Sequence, residues 1–252
     1  VDGFSLPDVP LSIEAYRKLE DELVLSDLLI IEKKLERLAK MSKKAISPQE
    51  AAQNELLPGL KECLEAGKPL RAAKLSPADV FTLRSFSFWT IKPELVVVNV
   101  AEENLSFADQ FASEAKLAEP VMGICCKIEA ELSDLDASEQ KEFLSTMGIA
   151  EPAFGRIIRA AFSLLGRISF FTVGEDEVRA WVIPAQTKAP KAAGAIHNDF
   201  ERGFIKAEVM HYDEFMAHGG SAAQVKSAGR MRLEGKDYMV QDGDIITFRF
   251  NV

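Results

Sequence analysis

Leu95-Val96-Val97-Val98-Asn99-Val100-Ala101-Glu102 passes from a wholly apolar run to an amide and then a carboxylate. A short apolar run rich in β-branched residues suits a strand buried on both faces of a parallel sheet. The spacing predicts a strand over 95–98 that ends just before Asn99. Its polar residues then fall at the carboxyl end of the strand, where open α/β sheets bind ligands. An asparagine there offers a donor and an acceptor to a base edge, and Glu102 can accept from a ring or exocyclic N–H. The same two residues would also serve to cap a following helix, and N-x-x-E alone does not separate the two readings.

Downstream, a polar helix-like segment leads to a second strand candidate, Val121-Met122-Gly123-Ile124-Cys125, with Cys126-Lys127-Ile128-Glu129 just past its end. Helical patterns follow at about 137–148 and 153–165. Strand, helix, strand, helix make an α/β unit, but two strands are too few for a doubly wound sheet. From Arg167 the period becomes two. Ile168–Val173, a Gly174 turn and Val178–Ile183 read as a hairpin. Gly203–Val209 is another strand, and Asp242-Gly243-Asp244 turns into a last one, Ile245–Phe250. Four or five strands with one or two short helices suggest a small α+β domain of the ubiquitin-like β-grasp type.

Upstream, residues from about 12 to 42 read as one long helix. Val24, Leu28, Ile31, Leu35 and Leu38 alternate spacings of four and three, the seam of a coiled coil. The apolar run Leu23 to Ile31 is interrupted by Ser26 and Asp27. Ser42-Lys43-Lys44-Ala45-Ile46-Ser47-Pro48 breaks the pattern. A second helical stretch carries Leu56, Leu60, Cys63 and Leu64 on one side, with Pro58-Gly59 expected to bend or split it. The economical reading is a helical hairpin with an exposed tip. Ser76-Pro77-Ala78-Asp79 then starts a further helix, running through Phe81 and Leu83 towards Phe88.

Composition bounds the function classes. The chain has 252 residues and a net charge of −9, so contact with nucleic acid requires a local basic face. Lys188, Lys191, Arg202, Lys206, Arg230, Arg232 and Lys236 could form one, although acids are interspersed among them. No apolar run approaches the ~18 residues that span a bilayer, and the start Val1-Asp2-Gly3-Phe4 lacks the features of a signal peptide. Val1 in place of Met implies a natural chain that begins further upstream. Cys63, Cys125 and Cys126 make no disulfide framework, which suggests the cytoplasm. His197, His211 and His218 lack partners at ligand spacing, so no metal site is expected.

These segments resemble a known family. Leu28–Leu38, Gly67-Lys68-Pro69, Asn99–Glu102 and Lys127–Leu132 are similar to YchF-type, Obg-related P-loop NTPases. So are Val178–Val182, Thr187–Pro190, Asp199–Val209, Glu234–Asp244 and Phe248–Val252. The resemblance implies an α/β plus α+β architecture: an incomplete P-loop NTPase α/β unit, an inserted coiled-coil hairpin and a C-terminal ubiquitin-like β-grasp (TGS) domain. On that basis residues 1–11 are a residual G-domain segment, 12–90 the hairpin, 91–166 the end of the G domain and 167–252 the TGS domain. It further implies nucleotide-binding residues Asn99, Val100, Glu102, Cys125, Cys126 and Lys127, with Val100 and Cys125 to Lys127 contributing main chain. ATP or GTP with Mg²⁺ would serve the complete protein, and the partner would be the ribosome, its large subunit or the whole, rather than DNA or membrane.

The departures matter as much. No G-x-x-x-x-G-K-[ST] occurs, since Gly67-Lys68 and Gly235-Lys236 each lack the upstream glycine and the following hydroxyl residue. Cys125-Cys126 stands where that family has Ser-Ala, and Pro58 falls in a helix that is unbroken there. No catalytic residue is assigned, and this chain by itself is expected to hydrolyse no nucleotide. Two functions remain: the base-recognition part of an ATPase or GTPase, or a non-enzymatic ribosome or RNA adaptor with a vestigial nucleotide site.

Overall fold

The computed structural model describes residues 1–5, 8–42, 46–174 and 176–251. Leu6, Pro7, the expected break at Lys43-Lys44-Ala45 with the hairpin tip, and the terminal Val252 lie outside the described residues. Residues Val1–Ile158 and Arg159–Val252 form two compact units.

The first unit contains β1 (Asp2–Gly3), α1 (Val9–Lys40), α2 (Pro48–Glu65), α3 (Pro77–Leu83), β2 (Val96–Val100), α4 (Phe107–Ala115), β3 (Val121–Ile124), α5 (Cys126–Ser133) and α6 (Ala137–Thr146). It also holds the start of α7 (Ala153–Leu164), which crosses the boundary. Its three strands are parallel in the order β1-β2-β3. β1 adds a strand that no periodicity announces, because two residues carry none. It also lengthens β2: Asp2 and Gly3 pair with Asn99 and Val100, and the Asn99 N–H donates to Val1 O at 3.0 Å. Asn99 therefore lies inside the strand rather than beyond it. β2 is also not buried equally on both sides. Val96, Val98 and Val100 are buried against α1 and α4, through Val9, Ile13, Phe107 and Phe111. Val97 and Asn99 point the other way and are half-buried.

α1 buries Val24 and Ile31 against Leu57, Leu60 and Leu64 of α2. The start of α2 is a capping box, Ser47 with Glu50. Glu50 also accepts from Lys34 of α1 at 3.0 Å and from Arg37. The expected split at Pro58 does not occur, and α2 is one helix through it. Proline there removes one N–H and leaves the Asn54 carbonyl unpaired. Both residues are exposed, so water can take that bond while the opposite face stays packed. α3 begins as expected, with Ser76 and Asp79 bonding reciprocally. It stops at Leu83, short of Phe88, and passes through a tighter turn to Ser87 in the left-handed region.

Two polar hubs tie α1 to the chain entering the sheet. Fully buried Asp27 accepts from Trp89 N–H at 3.0 Å, Thr90 N–H at 2.8 Å and the Thr90 hydroxyl at 2.7 Å. Arg71 pairs with Glu119 at 2.7 Å and also with Glu20 and Glu94. Burial pushes the Glu94 carboxyl above the usual range, against the pull of Arg71.

The second unit comprises the end of α7, β4 (Arg167–Val173), β5 (Val178–Pro184), α8 (Ala189–Ile196), α9 (Asn198–Arg202), β6 (Phe204–His211), α10 (Tyr212–Ala217), α11 (Ala222–Ser227), β7 (Arg232–Glu234) and β8 (Asp244–Phe250). The sheet order is β5-β4-β8-β6-β7, with β4 and β8 parallel and the other neighbours antiparallel. Phe170, Ile183, Val209, Ile246 and Phe248 alternate inward along four of its strands, and Ala189, Ala192 and Ala193 let α8 lie close on them. The four short helices α8 to α11 exceed the one or two expected. The last strand follows a turn with Gly243 at φ 83°, where Asp242 accepts from Ser169 N–H at 2.7 Å.

Candidate functional site

The carboxyl ends of β2 and β3 lie side by side, with Asn99 opposite Ile124. Asn99 Oδ1 accepts the N–H of Cys126, the first residue of α5, at 3.1 Å. Neither Asn99 nor Glu102 caps a following helix: Glu102 opens a short 3₁₀ turn to Asn104 that has no side-chain cap, and α4 begins after Ser106, also without one. The amide instead reaches across the sheet to the start of another helix. Because only the amide oxygen can accept that N–H, the Asn99 NH₂ group faces away, free to donate. Three residues on, Glu102 Oε2 lies 3.0 Å from Lys127 Nζ. That hydrogen bond lifts the Lys127 ammonium above its ordinary range. Asn99, Glu102, Cys126 and Lys127 are thus joined by two direct contacts that link the β2 end to the β3 end.

Val100 and Cys125 fall elsewhere. Both are buried and line a cavity of about 220 Å³ with Gly123, Ile128, Glu129 and Arg156. Val100 is turned into the core, so its contribution to a ligand on the Asn99 face is confined to main chain. The cavity depends on a close approach: a Cβ on Gly123 would stand 2.9 Å from Ala108 Cβ. Its far wall is built by contacts that no motif announces. Glu129 accepts from the N–H groups of Ala153 at 2.7 Å and Phe154 at 3.3 Å at the start of α7, and Arg156 donates to Gly123 O at 3.1 Å. The residue pattern also announces no helix over 126–133, because α5 starts without a side-chain cap of its own.

The seven basic residues of the second unit are mostly engaged. Lys188 pairs with Asp237, Lys191 with Glu201, Arg202 with Asp199, Arg230 with Glu214, and Arg232 with Glu234 and Asp244. Lys206 and Lys236 are exposed. Among the described residues no three His, Cys, Asp or Glu side chains gather as a metal site, and no helix is long and apolar enough to cross a membrane.

Comparison with known proteins agrees with the resemblance read from the sequence. Residues 167–251 match the family YchF-GTPase_C, described as a protein of unknown function (DUF933). The chain is 41% identical to the ribosome-binding ATPase YchF of Bacillus subtilis (strain 168), over 92% of this chain and 64% of that protein. It is 39% identical to the Obg-like ATPase 1 of Oryza sativa subsp. japonica, over 96% of this chain and 63% of that one. In structure it matches the Schizosaccharomyces pombe YchF GTPase with a TM-score of 0.78 and 29% identity, covering 94% of this chain and 66% of that one. The chain therefore spans less than two thirds of the length of these two curated relatives. It is similar to YchF-type proteins over nearly all of its own length, and it shares their mixed α/β fold.

Proposed function

We propose that this chain is the base-recognition and docking portion of a nucleotide-binding protein, an ATPase or GTPase, that associates with the ribosome. The observation that carries the reading is the Asn99 to Cys126 bond. It joins the N-x-x-E segment to the start of α5 after β3, and the Asn99 amide keeps a donor that a base edge could use. The printed names of the relatives support the nucleotide and the ribosome as ligands. The sheet order β5-β4-β8-β6-β7 supports a ubiquitin-like β-grasp, hence a TGS domain over 167–252. The packing of α1 on α2 supports a coiled-coil hairpin over 12–90, with the end of a G domain over 91–166.

The residues present fit a base and not the triphosphate or Mg²⁺. The sequence has no glycine-rich phosphate loop with its Lys and Ser or Thr to hold them. The test is isothermal titration of ATP and GTP into the complete protein. Asn99→Ala should weaken binding by about 1–3 kcal/mol. Asn99→Asp keeps an acceptor for Cys126 and loses the amide donor, so it should weaken binding while α5 stays capped. Unchanged dissociation constants in both variants would reduce N-x-x-E to a structural tie and leave the ribosome adaptor, with the basic residues of the second unit as its contact surface.

A further inference from the structure

The carboxylate of Glu102 does not stand alone at the base site. Its partner Lys127 comes from α5 on the neighbouring strand end, at 3.0 Å, and the two side chains differ in exposure, 25% for Glu102 and 60% for Lys127. We propose that the Lys127–Glu102 ion pair is a selectivity latch that handicaps guanine relative to adenine by occupying the acceptor guanine would need. The inference rests on the base-site reading above and assigns to the Lys127 side chain a role beyond main-chain contact.

The chemistry follows from the two base edges. Guanine presents two adjacent donors, its ring N1–H and exocyclic N2–H, to which an unpaired carboxylate is a strong acceptor. Adenine presents an acceptor at ring N1, which the lone pairs of a bare carboxylate repel. With Lys127 in place the carboxylate is neutralised and one oxygen is taken. Guanine must then displace the ammonium to reach it, whereas adenine meets a neutral edge beside the Asn99 amide donor. The Lys127 ammonium is charged at neutral pH as any lysine is, and its hydrogen bond to Glu102 raises its pKa further. Because the lysine is largely solvent-exposed, the latch is weak, and salt should loosen it.

The experiment uses this 252-residue chain and two probes without phosphates, adenosine and guanosine, followed by NMR at the Cys126 amide that Asn99 holds. In Lys127→Met the ratio of guanosine to adenosine affinity should rise about two- to fivefold, the worth of an exposed ion pair. Raising salt from about 50 to about 500 mM should move the wild-type ratio in the same direction and leave that of Lys127→Met unmoved. In a Glu102→Gln background, Lys127→Met should change nothing, since the partner is already gone. An equal ratio in wild type and Lys127→Met, or a salt response that survives the substitution, would overturn the latch while adenosine binding keeps the base site. If neither nucleoside moves the Cys126 amide, both the latch and the base-site reading fall.

Discussion

Each unit has an apolar core, and the two differ in how their strands are joined. In the second, all neighbouring strands but β4 and β8 are antiparallel, and a sheet with its own apolar filling, Phe170, Val209, Ile246 and Phe248, accounts for the core. In the first, three parallel strands of two, five and four residues cannot bond to each other through local turns. Beside their apolar packing, polar ties link distant parts of the chain around them: Asp27 to Trp89 and Thr90, Arg71 to Glu20 and Glu119, Asn99 to Cys126. Register follows the buried face in either sheet, and in the first the long-range polar ties add to it.

That contrast can be broken in a graded way. The largest effect is expected from Phe170→Ala, which empties a fully buried site and should cost the second unit about 3–5 kcal/mol. Next comes Asp27→Ala, which strips three donors of their acceptor and should cost the first unit about 3 kcal/mol. Urea denaturation followed by amide exchange, read unit by unit, checks both. Each substitution should lower protection chiefly in its own unit, and Asp27→Asn should recover part of the loss. Equal losses in both units from either change would mean the units unfold as one.

The smallest effect concerns pH. The hydrogen bond from Lys34, with those from Ser47, holds the Glu50 carboxyl down to about 2. A depressed carboxylate contributes stability above its unfolded value near 4.5, and that contribution is lost as pH falls towards 2. Amide protection in the first turn of α2 should decline across that window. Glu50→Gln should flatten the decline, and a pH response as steep in that variant would assign it to other groups.

Much of the second unit is legible in its residue pattern. The two-residue alternation of 168–173, 178–183 and 245–250 appears in β4, β5 and β8, whereas β7, three residues long, is too short to show a period. The first unit is legible in its helices and less so in its joints. Asp27 reads as a mere interruption of an apolar run, yet it sits on the same helical face as Val24 and Ile31. A carboxylate on a buried seam signals a partner, though not which one, because the partner lies more than sixty residues away. At the candidate site the residue types are readable and their pairings are not. Asn99, Glu102 and Lys127 announce polar chemistry, but only the parallel register of β2 and β3 brings Lys127 to Glu102.

Asn99 has two uses on this reading, one through its oxygen at the start of α5 and one through the NH₂ group it keeps as a donor. Its replacement loosens a helix whether or not a nucleotide is ever met. Selection for folding alone therefore slows drift at this position, even in a lineage that has abandoned the ligand. Glu102 and Lys127 carry no such second duty to the backbone. Descendants that lose base recognition should shed the ion pair first and keep the asparagine longest, so the order of loss across relatives records which of the two constraints was still acting.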